Sequence, residues 1–382
     1  MLANKNIAIV GGGPGGLTLA KLLQQKGIAV KVYERDEHKN VRVQGATLDL
    51  HEESGLEALK QAGLLDEFYK AYRPNAGRIK IIDKDGVVKM NDHTAKEYSE
   101  DRPEIDRAPL RKLLLNSLND ETVIWDSHFI KMEPYKDGWM LHFKNNTTAY
   151  ADVVIAADGA NSKIRKYITN ITPIYSGITV VEGNIYHAAH NAPKLWEMVQ
   201  GGKVFAFGDQ QSLILSAKGE GSLSFYTGCK VHEDWVKTSG IDFSSKTSVQ
   251  QWFLSNFGSW NTIWQELFTS DDVWFVPRPQ YHYPLNQQWQ TKSNVTMLGD
   301  AAHRMPPYAG EGVNMAMQDA VVLTNCLINE TANMYNALQK YEQQMLQRAA
   351  KVTAITLEST AMLHSSDAIV KMMQMMNEVQ HT

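Results

Sequence analysis

The sequence predicts an α/β fold: a parallel sheet that begins at the N terminus, a mostly antiparallel sheet interleaved with it, and a helical C-terminal segment. Three observations carry this expectation. Residues 7–33 run from a short apolar segment through a glycine-rich turn and a helical pattern into a second apolar segment, which is the pattern of a βαβ unit. Residues 173–285 hold short alternating segments separated by glycine-rich turns. From about Val313 onward nearly every stretch has helical spacing.

In order along the chain, Ile7–Val10 reads as a buried strand and Gly11–Gly16 as a turn. Leu17, Ala20 and Leu23 share one helical face, and Gly27 marks the stop. Ala29–Tyr33 is the second strand and ends at Glu34. Helical patterns follow at 55–62 and 64–71, and Ile79–Val88 reads as a hairpin around Asp85-Gly86. A helix is expected over Pro109–Leu118 with Arg107 just ahead of it, and strands over 123–155, closing on Val153–Ala157 and Asp158-Gly159. Lys203–Phe207 and Ser222–Tyr226 alternate as half-covered strands. Val295–Leu298 returns to a buried strand before Gly299-Asp300.

The length of 382 residues suits two or three domains. A formal net charge of −4 argues against nucleic acid or an anionic membrane as partner. No run approaches the ~18–20 apolar residues of a membrane span. The N-terminal apolar run of four residues does not make a signal peptide, so a cytoplasmic location is expected. Two cysteines, Cys229 and Cys326, are too few for a disulfide framework or a cysteine metal site. The twelve histidines show no metal-binding spacing.

The first chemical motif is Gly11-Gly12-Gly13-Pro14-Gly15-Gly16, which holds G-x-G-x-x-G between a strand and a helix. Gly11 permits the tight turn, Gly13 lets backbone approach a pyrophosphate, and Gly16 lets helix pack on strand. Glu34, 18 residues past Gly16, stands where a ribose diol would be held. The motif defines a Rossmann-like dinucleotide site without choosing between NAD and FAD. Arg35 would suit a 2′-phosphate, which the adjacent Glu34 disfavours.

A second motif, Asp158-Gly159-Ala160-Asn161-Ser162-Lys163-Ile164-Arg165, follows a buried strand. A third, Gly299-Asp300-Ala301-Ala302-His303-Arg304-Met305-Pro306-Pro307, continues through Gly310, Gly312 and Asn314 into a helix. Together the three resemble the fingerprints of the FAD-dependent aromatic hydroxylases of the para-hydroxybenzoate-hydroxylase type. Segments such as Val32–Asp36, Thr47–His51, Pro103–Arg107, Thr122–Asp126 and Tyr341–Met345 are similar to one branch, the tetracycline-inactivating flavin monooxygenases of the TetX type.

The resemblance implies noncovalent FAD held by Gly11, Gly13, Gly15, Gly16, Glu34, Arg35, Asp49, Arg107, Asp158, Asp300, Pro307, Gly310, Gly312, Val313 and Asn314, with NADPH engaged near Arg42 and O2 as co-substrate. It implies a single-component monooxygenase that hydroxylates a phenolic or polycyclic small molecule through a flavin C4a-hydroperoxide, with tetracycline modification among the possibilities. Asp300, at the end of a buried strand, would be satisfied by cofactor hydroxyls; a helix cap is the alternative. The helix from Gly312 would direct its positive end at the flavin. His303 reads as structural, held by a backbone hydrogen bond, and the Met372–Met376 cluster reads as core.

The substrate is expected against Glu182, Lys203, Phe205, Tyr226, Tyr308 and Gly310. Glu182 and Lys203 stand where the tetracycline branch has Gln and Arg, Tyr226 where it has Gly, and Tyr308 where it has Phe. These changes crowd and repolarise the pocket. A solvated sheet face is the alternative for Glu182 and Lys203. The expected organisation is an FAD-binding domain of residues 1–72, 101–172 and 286–325, a substrate domain of 73–100 and 173–285, and C-terminal bridging helices over 326–382, in a monomer. A flavin reductase or dehydrogenase without oxygen transfer, or a non-catalytic FAD protein that sequesters a ligand, remains open on the same fold. A halogenase is disfavoured, since no W-x-W-x-I-P segment occurs.

Overall fold

A computed structural model describes residues 2, 4–41, 47–94, 100–330 and 333–380. A five-stranded parallel sheet, drawn from segments spread along the chain, has the order Val295–Met297, Val153–Ala156, Ile7–Val10, Val30–Tyr33, Val123–Ile124. The strands are short and nearly continuous in apolar residues because helices cover the sheet. The helix Pro14–Gln25 carries Leu17, Leu19, Ala20 and Leu23 into the core, with Pro14 at its first turn. Gly27 ends it at φ +73°.

The hairpin expected at Asp85-Gly86 forms, with Ile79–Asp83 antiparallel to Val88–Asn91 and Gly86 at φ +83°. Arg107 is the first residue of the helix Arg107–Asn116 rather than a residue before it. Around 52–61 the helical pattern is split into a π-helical turn, Glu52–Leu56, and an α-helical turn, Glu57–Gln61.

The second sheet has seven strands, in the order Val273–His282, Ile174–Ile185, Leu223–Lys230, Gln211–Ala217, Lys203–Gly208, Ile79–Asp83, Val88–Asn91. Every neighbouring pair is antiparallel except Lys203–Gly208 against Ile79–Asp83. Because side chains alternate across a sheet, Val181, Leu213, Leu215, Phe225 and Phe275 enter one core with Phe253, Phe257 and Trp264. Their neighbours Glu182, Ile214, Ser216 and Tyr226 take the opposite face, toward the parallel-sheet region.

The C-terminal helices join the two regions. Tyr341 and Met345 of the 30-residue helix Met334–Leu363 pack in the core of the parallel sheet. Its end, Leu363, meets Ile81 and Phe207 of the second sheet together with Ala368 and Met372. Met372 is buried as expected, whereas Met375 is exposed. Among the described residues no helix is long and apolar enough to cross a membrane.

Candidate functional site: a dinucleotide cradle facing a polar sheet

The glycine turn is built by close approach. Gly11 sits at φ +115°, and a Cβ there would lie 2.1 Å from the Ala157 carbonyl oxygen. A Cβ on Gly16 would lie 2.2 Å from the Gly11 carbonyl oxygen, and one on Gly15 2.8 Å from that of Ala316. These three glycines let strand, turn and two helices touch. Gly13 differs: among the described residues no protein atom lies within 4 Å of its would-be Cβ. Its open side leaves room at the helix N-terminus, where backbone N–H groups favour an anion.

Glu34 is buried at the end of its strand, where Oε2 accepts from Gly12 N–H at 2.5 Å and Oε1 from Asp36 N–H at 3.0 Å. The carboxylate therefore holds the turn. Arg35 is exposed, and its charge helps hold His128 below its ordinary pKa, behind burial and the nearer Lys163. Asp158 Oδ2 accepts from Lys163 N–H at 2.8 Å, and Oδ1 is buried without a hydrogen-bond partner among the described residues. Burial raises its pKa.

Asp300 opens the helical turn Asp300–His303 and faces open space, although protein crowds its other sides. That crowding raises its pKa, while the charges of His303, Arg304 and Arg107 pull it down. No hydrogen bond to its carboxylate is formed among the described residues, so the capping alternative finds no bond. Gly299 sits at φ +59°, and Asp319 fixes this turn from beneath. Its Oδ2 accepts from Gly299 N–H at 2.9 Å and pairs with His303 Nε2 at 2.6 Å, while Arg348 holds Oδ1. His303 is thus structural, but through a carboxylate rather than the expected backbone bond.

Arg165 ties the second motif to the third. It donates to the Ala301 and Ala302 carbonyls at 3.0 and 2.9 Å and to Gln287 Oε1 at 2.7 Å, and it stacks 3.5 Å from the Tyr283 ring centroid. Burial lowers its pKa to about 10.

Asp49, Gly310 and Asn314 meet at the start of the helix Gly312–Asn329. Asn314 donates to the Asp49 carbonyl at 2.9 Å and accepts from His51 N–H at 3.0 Å. Its side chain is thereby committed to protein, leaving its backbone, with Gly312 and Val313, for a ligand. Gly310 is at φ +71°, with the Asp49 carboxylate 3.1 Å from its would-be Cβ. His51 bridges Asp49 Oδ2 at 3.0 Å and Glu311 Oε1 at 3.4 Å. Pro307 is exposed beside this loop. Arg42 lies outside the described residues.

Across from the loop, one transverse row of the sheet runs Val276, Glu182, Tyr226, Ile214, Phe205, Ile81. The next row on the same face runs Trp274, Asn184, Ser224, Ser216, Lys203, Ile79. Glu182 is only 3% exposed and is ion-paired with Arg278, while Tyr226 donates to it at 3.2 Å. Lys203 is ion-paired with Glu104, which is 2% exposed. Burial raises the Glu104 pKa, against the pull of Lys203. The solvated-face alternative fails because both side chains are locked in partly buried ion pairs. Tyr308 turns toward Phe207 and His364, its hydroxyl 3.3 Å from His364 Nε2.

His51, Glu104, Arg165, Arg278, Asp319 and His364 had no assigned role in the sequence reading. Asp319 carried a signal, as a lone acid within the apolar run Met315–Leu323. Arg165 closed the second motif. The partners of Glu104 and Arg278 lie about a hundred residues away in the chain and left no local trace.

These residues fit FAD: an open glycine at a helix N-terminus, an unpartnered Asp158 oxygen, and an Asp300 carboxylate facing open space. The family comparison agrees. Residues 4–356 match the family model described as FAD binding domain, and the chain belongs to that family of FAD-dependent monooxygenases. Two curated relatives are similar over nearly their whole length. Monooxygenase penA of Penicillium thymicola is 27% identical, with 94% of this chain and 96% of that protein covered. The 6-hydroxynicotinate 3-monooxygenase of Pseudomonas fluorescens is 27% identical, with 96% and 94% covered. Among solved structures, tetracycline destructase Tet(55) superposes with a TM-score of 0.75 at 18% identity, covering 94% of this chain and 90% of that one. That likeness speaks for the fold alone.

Proposed function

We propose that this chain is a single-component, NADPH-dependent monooxygenase that hydroxylates a phenolic or hydroxylated heteroaromatic ring, acting as a cytoplasmic monomer. The observation that carries the reading is the row Glu182–Tyr226–Ile214–Phe205, which sets two aromatic rings and one aliphatic side chain between two neutralised ion pairs, opposite the Pro307–Gly310 loop.

Bound FAD supplies the redox and oxygen chemistry. Asp300 and Glu34 would hold cofactor hydroxyls, Gly13 would admit the pyrophosphate, and the first turn of Gly312–Asn329 would place positive backbone dipole at the ring. Phe205, Ile214 and Tyr226 would form one wall against a planar substrate and exclude water from that side. Lys203 and Arg278 are each spent on a carboxylate, so the site favours a neutral or phenolic ring over a substrate held by a bidentate carboxylate clamp. The relative that acts on 6-hydroxynicotinate supports a hydroxylated ring as substrate. Tetracycline belongs in the test because of the branch resemblance, and weak turnover at best is expected of it.

The test is NADPH oxidation by the FAD-loaded protein, with and without simple phenols, hydroxypyridines and tetracycline, and with mass detection of a product heavier by one oxygen. Substrate-stimulated oxidation with that product supports the reading. Stimulated NADPH oxidation whose electrons appear only as hydrogen peroxide, with no oxygenated product, would make the protein a flavin reductase without oxygen transfer.

A further inference from the structure

The sheet face that carries Glu182 and Tyr226 continues for two more rows, and the farther row opens into a separate cavity. The intervening row holds Val180, Gly228, Ser212 and Phe207. Gly228 there has no room for a side chain: Ser212 Oγ and His364 Nε2 each lie 2.4 Å from its would-be Cβ, and Tyr308 Oη lies 2.6 Å from it. His364 Nδ1 lies 2.8 Å from the Thr360 carbonyl, which can only accept, so Nε2 accepts from Ser212 and Tyr308. Tyr308, His364 and Ser212 thus form a partition seated on Gly228.

Beyond the partition lies a half-open cavity of about 530 Å³, lined by Ser176, Gly177, Lys230, Leu357, Ala361 and His364 among others. That volume falls within the ~300–1,000 Å³ of small-molecule sites. Two further features are built into it. The pairing of Ile174–Ile185 with Val273–His282 breaks between Tyr175 and Thr179, so Ser176 and Gly177 bulge away from the ladder, with Gly177 at φ +85° and nothing within 4 Å of its would-be Cβ. Lys230 stands at the wall with Gln210 Oε1 at 3.0 Å and no carboxylate partner among the described residues. The acids nearby in sequence are engaged elsewhere, Glu233 with Tyr281 and Asp234 with His232 and Lys237.

We propose that this cavity is a second binding site, distinct from the flavin-facing row, for an aromatic monoanion: the ring lies against Leu357, Ala361 and Ile178, and the charge meets Lys230. The site stands whether or not the proposed hydroxylase reaction does.

The test uses 1-anilinonaphthalene-8-sulfonate as probe, titrated by fluorescence into the FAD-loaded protein. Saturable binding is expected. Ala361 lines the cavity yet is exposed on its helix, so Ala361→Trp should fill the space, keep the fold and weaken binding by at least about tenfold. Lys230→Gln should weaken it by roughly threefold to tenfold, with less dependence on salt. Ser176→Trp fills the cavity from the opposite wall and should act like Ala361→Trp. Equal probe affinity in wild type and both tryptophan variants, or no saturable binding to the wild type, overturns the proposal.

Discussion

The glycine turn and the sheet face opposite it solve the same problem, a polar ligand held inside protein, by opposite means. The turn specifies its ligand with backbone. Gly11, Gly15 and Gly16 have no room for a Cβ, while a Cβ on Gly13 would meet nothing among the described residues within 4 Å. The sheet face specifies with side chains, and the two charges beside its aromatic row are answered by partners distant in sequence, Glu182 by Arg278 and Lys203 by Glu104. A backbone site tolerates no change at a few positions. A side-chain site can drift in charge while the fold stays intact.

The largest effect expected from this contrast is at Gly13. Gly13→Val should leave the melting transition within about 1 kcal/mol of the FAD-free wild type, since no described protein atom is displaced, yet remove FAD altogether because the side chain fills the expected phosphate position. Gly11→Val should instead damage the fold itself, at φ +115° and 2.1 Å from a carbonyl oxygen. Flavin absorbance of the purified variants, beside their thermal melts, separates the two. A Gly13→Val protein that stays yellow would break the distinction.

Next is Lys203→Met. Removing the cation leaves Glu104 charged and buried, at a cost of about 3–5 kcal/mol. The pH dependence follows from the sign of the shift. Burial already raises the Glu104 pKa above 4.5, and losing Lys203 raises it further. The folded variant then binds the proton more tightly than the unfolded chain does. Its deficit should be full above the folded pKa and shrink as pH falls through it. Urea melts at neutral and mildly acidic pH would show the gap to wild type narrowing. A gap that widens on acidification would mean that Glu104 is not the group left unpaired.

Asp300→Ala should lower FAD affinity by about 1.5–3 kcal/mol, roughly tenfold to a hundredfold, with a cooperative melt retained. Isothermal titration of the FAD-free protein measures it. Full affinity would return Asp300 to a purely local role at the helix start.

The same contrast explains what the sequence made legible. The βαβ unit, the Asp85-Gly86 hairpin and the helix from Gly312 were readable because each rests on local spacing or turn chemistry. Gly11, Gly13 and Gly16 were readable for the same reason, since backbone sites leave short-range motifs. Glu182 and Lys203 could be placed on strands, but their state could not, because Arg278 and Glu104 join them only through sheet pairing and tertiary contact. Likewise, the Asp319 hub under Gly299 and the His364 partition over Gly228 join residues far apart in the chain. The backbone bond expected for His303 was a guess at a partner that only the folded chain supplies.

The smallest effect on stability, and the sharpest on specificity, is expected at Glu182. Glu182→Gln keeps the shape, and the amide oxygen can still accept from Tyr226. Arg278 loses its carboxylate, but its side chain is 53% exposed, so water takes over and the melt should move by no more than about 1 kcal/mol. The row then carries an unbalanced positive charge beside Tyr226. Turnover of an anionic ring such as a hydroxynicotinate should gain in kcat/KM relative to a neutral phenol, by roughly tenfold for about 1.4 kcal/mol of added attraction. The measurement is the ratio of kcat/KM values for the two substrate classes in wild type and variant. An unchanged ratio would mean that Glu182 and Arg278 lie outside the substrate's reach, and that the sheet's selectivity rests on Lys203 and the rings of Phe205 and Tyr226 alone.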